Sequence, residues 1–302
     1  MELYNTHNSW YKGNLHTHTT LSDGAVAPDE SIKRYKNAGY DFLAITDHRK
    51  FYPGRLEKNG DKDFLLLSGI EFDLNDLNLR KAWHIVGIDM DNSAFIDGIL
   101  AADEEKLTPQ DVINSIAENK GVAILAHPFW SLLTHEDVIK LGGYIGIEVW
   151  NEMAGFLTNR ADSTDYIDIC ASKGKFTYIF AVDDTHAYSR DLFGGYIMVN
   201  SEGLNKTDIM NNIKKGNFYC SQGPQIKQIH VLKNEIHVKT SPVEFISFMS
   251  DTFYCGDRIA RHGSGLIEEA SYTIKDTDRV VRIECKDVYG KRAWSQLIKV
   301  NE

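Results

Sequence analysis

The segment NLHTHTTLSDG, beginning at Asn14, sets His16 and His18 two residues apart directly after an apolar residue, with Asp23 five positions further on. In an extended strand residues i and i+2 point to the same side, so the two imidazoles can converge on one point while a loop returns the Asp23 carboxylate toward them. Nitrogen and oxygen donors meeting in this way suit a metal ion. The motif has company. AITDH ends an apolar run with Asp47 and His48, SGIEF places Glu71 at the end of another, and AWHIVGID carries His84. VAILAH ends on His127, and AVDDTHA closes a further run with Asp184 and His186 spaced i, i+2. Six of the eleven histidines fall at these points, a regularity that unrelated core or surface histidines have no reason to show.

The elements that must position these groups are legible as far as about Val199. Short apolar runs (41–46, 64–72, 82–88, 122–127, 144–150, 176–182 and 194–199) alternate with helix-like segments. Several runs are apolar throughout, the pattern of parallel strands covered on both faces. In TPQDVINSIAENKG, Thr108 can cap a helix, Pro109 fits its first turn, Asp111 suits the positive end of its dipole and Gly121 provides a left-handed stop. Strand–helix alternation predicts a parallel α/β architecture, and this many units predicts a barrel, whose strand ends meet at one rim where active sites are built. From Ile226 onward, IHVLKNEIHV, EFISFMS, VVRIECKD and RAWSQLIKV read as short strands between polar turns. The expected division is therefore 1–224 as the α/β unit and 225–302 as a small antiparallel β domain of sandwich type. Phe248, Phe253, Tyr254 and Trp294 are expected in the core of that domain.

Composition narrows the class. With 42% hydrophobic and 25% charged residues in 302, the chain reads as globular. No signal-peptide pattern and no apolar run near the ~20 residues of a membrane span are visible, which makes cytoplasmic residence the expectation. Cys170, Cys220, Cys255 and Cys285 form no C-x-x-C pair and read as reduced, packed thiols. A formal net charge of −10 repels polyanions and disfavours nucleic acid as a partner, while leaving a small-molecule substrate open. Oligomeric state is not encoded in any motif.

An all-nitrogen and oxygen donor set fits Zn²⁺, Mn²⁺ or Fe²⁺. A shared carboxylate with so many ligands implies two or three divalent ions, which activate water near neutral pH and neutralise charge on the group under attack. Taken together and in this order, NLHTHTTLSDG, AITDH, GIEF, AHPF and DDTHA resemble the polymerase-and-histidinol-phosphatase (PHP) family of metal-dependent hydrolases, from residue 10 to about 200. The resemblance implies a distorted seven-stranded β/α barrel with up to three ions. By motif, His16, His18, Glu71 and Asp184 would hold the first. Glu71 would bridge to a second, held also by His84 and His127, and Asp23, His48 and His186 would hold a third, with a hydroxide between ions as nucleophile. The tail segments GNFYCSQGPQI and DVYGKRAWSQLIKV resemble PHP proteins akin to carbaryl hydrolases, which carry an extra β domain and include ester- and carbamate-cleaving enzymes.

Other residues carry weaker signals. Asp47 is expected to cap backbone or to hydrogen-bond a ligand histidine rather than bind metal, and Glu148 to act as an acceptor behind the ligands. Asp183 is passed over because Asp184 has the i, i+2 spacing to His186. His84 lies early in its run, so a satisfied core histidine is an open reading. Phe129, Trp130, Asn151 and Arg160 follow strand ends and are candidates for substrate contact, Arg160 for a phosphate or carboxylate. The expected activity is phosphate-ester hydrolysis of a small phosphorylated molecule, with carbamate, carboxylic ester or amide hydrolysis by the same centre as the alternative.

Overall fold

The computed structural model describes residues 2–57, 63–90, 107–253, 256–261, 263 and 265–301. Its strands are β1 (Ser9–Asn14), β2 (Phe42–Ala44), β3 (Arg55–Glu57), β4 (Phe64–Leu67), β5 (Gly69–Asp76), β6 (Lys81–Ile88), β7 (Val122–Leu125), β8 (Gly146–Asn151), β9 (Tyr178–Val182), β10 (Tyr196–Ser201) and β11 (Phe218–Ser221). Then follow β12 (Ile226–Leu232), β13 (Glu235–Val243), β14 (Phe245–Ser250), β15 (Ile259–Arg261), β16 (Ile267–Thr273), β17 (Val280–Lys286), β18 (Arg292–Trp294) and β19 (Ile298–Lys299). The described helices are α1 (Pro28–Asn37), α2 (Pro109–Glu118), α3 (His135–Lys140), α4 (Glu152–Thr158), α5 (Thr164–Ser172) and α6 (Lys206–Lys215).

The chain is an α/β protein with a β-rich C-terminal region. The strict strand–helix alternation expected of it is not what it builds. β1, β2 and β4 pair in parallel, as do β7, β8 and β9. β6, however, runs antiparallel to both β5 and β7. The physical reason is the connection. Only residues 77–80 separate β5 from β6, and a link this short returns the chain as a hairpin, whereas a parallel crossover needs a dozen residues or more. The apolar run 64–72 likewise divides at Ser68 into β4, which joins β2, and β5, which joins β6.

Two sheets result, β5-β6-β7-β8-β9 and a larger one ordered β15-β14-β17-β18-β11-β10-β1-β2-β4-β3 with β19 on β17. Isolated parallel bridges join them at Thr17 to Thr185 and at His48 to Glu71. Leu15, Phe42, Ile85, Leu125, Ile147 and Phe180 belong to the continuous buried cluster between sheets and helices. Helix ends follow local chemistry. Thr108 and Asp111 form a reciprocal capping box on α2. At its other end the left-handed turn falls on Lys120 (φ 62°) rather than on Gly121. Gly39, just past α1, takes the left-handed conformation (φ 81°) that ends that helix.

The C-terminal strands β14, β15 and β17–β19 belong to the large sheet. β18 pairs with β11, so the large sheet passes directly from the N-terminal strands into the C-terminal ones. A three-stranded sheet, β12-β13-β16, packs on it through Ile229, Ile236, Val238, Ile246, Phe248 and Ile283. Phe248 is buried in this C-terminal core as expected, Trp294 is buried in the cluster of the N-terminal sheets instead, and Phe253 is fully exposed on the β14–β15 connection, where it has no core to enter. Tyr254 and Cys255 lie outside the described residues, and Cys170, Cys220 and Cys285 are buried and free. Among the described residues no helix is long and apolar enough to cross a membrane.

Arg282 ties the two regions together. Buried on β17, it pairs bidentately with Asp168 on α5, both bonds 2.8 Å, and with Glu284 at 2.8 Å. Removing one member of a buried pair leaves an uncompensated charge. Arg282→Ala is expected to lower unfolding free energy by about 3 kcal/mol, at the low end for such pairs because Asp168 is partly solvated. Urea titration measures this, and an unchanged midpoint would refute it.

Candidate metal centre

The ligand-type residues gather at one end of the sheets. His16 and His18 lie just past β1, His48 past β2, His127 past β7, and Asp184 and His186 past β9, while Glu71 sits on β5. His84 reaches the same rim because β6 is antiparallel: an early position in that strand is level with the late positions of its neighbours, with Asp73 opposite His84 in register. The feature that weakened His84 in the sequence is what brings it in. Backbone is unusual here too, since His127 (φ 26°) and Asp184 (φ 55°) occupy positive φ without being glycine, a cost that persists only where surrounding contacts impose it.

The Nε2 atoms of His16 and His18 are 3.1 Å apart, and each is 3.1 Å from Asp184 Oδ1. Glu71 adds Oε1 at 3.2 Å from His16 Nε2 and Oε2 at 3.1 Å from His18 Nε2. Four-coordinate ions with bonds of about 2.0 Å set their ligands about 3.3 Å apart, so these separations suit donors around one ion. Glu71 continues outward, with Oε2 at 3.0 Å from His48 Nδ1 and Oε1 at 3.0 Å from His84 Nδ1. His127 Nε2 is 3.6 Å from Glu71 Oε1 and 3.7 Å from Asp184 Oδ2. A third group lies toward solvent: Asp23 is 3.5 Å from His18 Nδ1, 3.8 Å from His48 Nε2 and 3.5 Å from His186 Nε2.

Three groupings can each hold an ion: His16, His18 and Asp184; His48, Glu71 and His84; and His18, Asp23, His48 and His186. Eight of the nine residues expected as ligands fall in these groupings, with a different partition, and His127 stands beside them without belonging to any. His18 and His48 are each shared between groups, and the second group contains His48 where the family motif suggested His127. Buried polar atoms without any hydrogen-bond partner concentrate here: His48 Nδ1, Glu71 Oε2, His84 Nε2 and Asp184 Oδ1. Orphaned donors and acceptors in a buried site are costly, and a bound cation would satisfy them.

Supporting residues fix the rings. Glu148 accepts from His16 Nδ1 at 2.7 Å and from the His127 backbone N–H at 3.0 Å. Ser131 Oγ lies 3.0 Å from His127 Nδ1, and His186 Nδ1 donates to the Asp184 carbonyl at 2.8 Å. In each case one ring nitrogen is occupied and Nε2 is left for the centre. Asp47 takes the capping role of the two expected for it, accepting from the N–H and hydroxyl groups of both Thr19 and Ser22, at 2.6–3.0 Å, and so holds the loop that leads to Asp23. Gly24 closes that loop. A Cβ there would stand 2.5 Å from the His18 carbonyl carbon, so no larger residue fits. Asp183 faces away, accepting from Tyr35, Phe193, Gly194 and Gly195.

Among the residues expected at substrate, Trp130 stands against the centre, its ring centroid 4.8 Å from that of His127 and 5.6 Å from that of His84. Arg160 lies outside the ligand cluster, over the exposed Phe129 ring at 5.8 Å. Asn151 takes another place. It is buried, its amide N–H groups go to Glu148 and Asp184 at 3.0 and 3.1 Å, and its oxygen caps α4, so it has nothing left to offer a substrate. Sequence reasoning missed Asp73, Arg49 and Asp191. Arg49 follows His48 at φ 54° and donates to Asp73 Oδ1 at 2.7 Å, and Asp191 holds the His186 loop. The i, i+2 spacing of Glu71 and Asp73 was the available signal for the first of these.

Electrostatics follow from this crowding. Burial pushes the His18 imidazole down, but Asp184 and Glu71 outweigh it and hold its pKa at about 9. Burial opposes and Asp184, Glu71 and Glu148 again prevail at His16, which stays protonated well above its ordinary range. Burial would raise Glu71 and Asp184, yet the histidines, His16 foremost, keep both well below the usual carboxylate range.

The fold and site together define an α/β protein with a clustered histidine and carboxylate centre. Residues 14–181, more than half of the chain, match the PHP domain, and the chain belongs to that family. It is 27% identical over 141 residues to the DNA polymerase/3'-5' exonuclease PolX of Bacillus subtilis (strain 168), a match covering 40% of this chain and 24% of the length of that one. It is 26% identical over 129 residues to an uncharacterized protein of Methanocaldococcus jannaschii, covering 39% and 68% respectively. Among solved structures, a two-domain protein from Bacteroides vulgatus ATCC 8482, containing a predicted PHP-like metal-dependent phosphoesterase, superposes with a TM-score of 0.55 at 14% identity. That likeness covers 98% of this chain and 96% of the other, so the overall arrangement of both regions is shared.

A metal ligand must be a neutral imidazole, whereas metal-free His18 is protonated below about pH 9. Loading with Zn²⁺ at pH 7 is therefore expected to release protons, and affinity to rise as pH climbs toward 9. Calorimetry in buffers of different ionisation enthalpy measures the release; none detected would contradict the assignment.

Proposed function

We propose that the protein is a multinuclear metal-dependent hydrolase, holding two or three Zn²⁺, Mn²⁺ or Fe²⁺ ions and cleaving the phosphate ester of a small phosphorylated molecule. The observation that carries this reading is the continuity of the three ligand groups through His18, His48 and Glu71. Cations so close together suit an anionic group that must be neutralised during attack. Bound there, divalent ions would supply Lewis-acid polarisation and lower the pKa of water.

The chain's own residues do the rest. His16, held by Glu148, and His18 present Nε2 to the same point as Asp184. Trp130 walls the side of His84 and His127. Arg160, over the Phe129 ring, offers a cation to an anionic part of the substrate. In this reading residues 1–224 form a distorted β/α barrel bearing the chemistry, and 225–302 form the attached β domain. Carboxylic ester or carbamate cleavage remains the second reading, favoured by the resemblance of the C-terminal segments to the carbaryl-hydrolase branch.

Metal-replete protein is expected to contain at least two ions per chain and to hydrolyse p-nitrophenyl phosphate. Losing a partner behind a ligand usually costs about 10–100-fold, so His16→Ala should cost more than about 100-fold. Assayed beside it, p-nitrophenyl acetate separates the readings: turnover of the acetate without the phosphate would replace the phosphoesterase by the esterase.

A further inference from the structure

The three groupings differ in how they are held. Those containing His16 and Asp184 or Glu71 and His84 are built largely from buried side chains on or beside strands. The outer one takes Asp23, His48 and His186, all partly solvent-exposed, from loops. Loops supply no ladder of hydrogen bonds to set a ligand in place, so another device must hold them.

For the His186 loop that device is Asp191. Its carboxylate is buried, and it accepts three backbone N–H groups: those of His186 and Ala187 on Oδ2, each at 2.6 Å, and that of Ser189 on Oδ1 at 2.9 Å. Between these donors the chain turns sharply, with Tyr188 at φ 55° and its hydroxyl donating to the His18 carbonyl at 2.6 Å. Thus fixed, the His186 ring stacks on His18 with centroids 4.0 Å apart, and its Nε2 is aimed at Asp23. Asp47 does the corresponding work on the opposite loop through Thr19 and Ser22.

We propose that Asp191 is the positioning residue of the outer cation site. It touches no ion itself, and it sets the backbone of 186–189 so that His186 can complete the group formed with His18, Asp23 and His48. The inference rests on reading the centre as a metal site. An asparagine at 191 has the same shape but turns one acceptor into a donor facing N–H groups, so the loop loses its anchor.

The test is metal content and chelator titration of the full-length, metal-replete protein. In Asp191→Asn the most weakly held ion is expected to lose about 10–100-fold in affinity, the range for partners behind a ligand, while the remaining ions keep wild-type affinity. His186→Ala should give the same selective pattern. Asp191→Glu keeps the charge on a longer arm and should show a smaller selective loss. It also carries the comparison if the asparagine variant does not fold. Wild-type affinity for every ion in a folded Asp191 variant would overturn the positioning role while leaving the metal centre standing, and so would equal weakening of all ions. Wild-type protein that binds no ion would overturn the metal centre itself, and this inference with it.

Discussion

One carboxylate holds the centre of this molecule together. Glu71 lies within 3.0–3.6 Å of nitrogens on His16, His18, His48, His84 and His127, which come from four separate strands or their extensions. So many imidazoles in a buried volume are tolerable only if charge is balanced locally, because the interior screens it poorly. Glu71, Asp184 and Glu148 supply the balance, and the same attraction draws the strand ends together. The His48 to Glu71 bridge, one of the parallel bridges between the sheets, falls on the very residues involved. Site and closure of the scaffold are one structural problem here.

The C-terminal region enters that problem from outside. Arg282 and Arg292 reach Asp168 and Asp162, and the Trp294 ring lies 6.3 Å from that of Trp150. Those partners flank the segment from Asn151 to α5, and Asn151 holds both Glu148 and Asp184. The β strands therefore brace a part of the chain whose register the centre requires, which gives their continuity with the N-terminal sheet a mechanical consequence.

Much of this was readable from residue order. Apart from β1, whose sequence SWYKGN is no apolar run, each strand that carries a ligand coincides with one, and the capping box at Thr108 and the stop at Gly39 lie where local chemistry puts them. The errors have a common physical source. The direction of β6 depends on the length of a turn rather than on the strand's own composition, and Asn151 was misread because an amide facing inward and one facing solvent look alike in a string of letters. Phe253 shows the converse, an aromatic residue placed by a connection that leaves it no core to enter.

By itself the sequence determined which donor types are present, their order, and the strands that carry them, because side-chain chemistry and hydrophobic periodicity are local properties. Only the tertiary structure decided how the donors divide into groups, which ring nitrogen of each histidine faces inward, and that Asp47 and Asp191 hold loops. Those outcomes depend on distances of about 3 Å, some between residues more than a hundred positions apart such as His16 and Asp184, and a hydrogen bond or a coordination shell is decided at that scale.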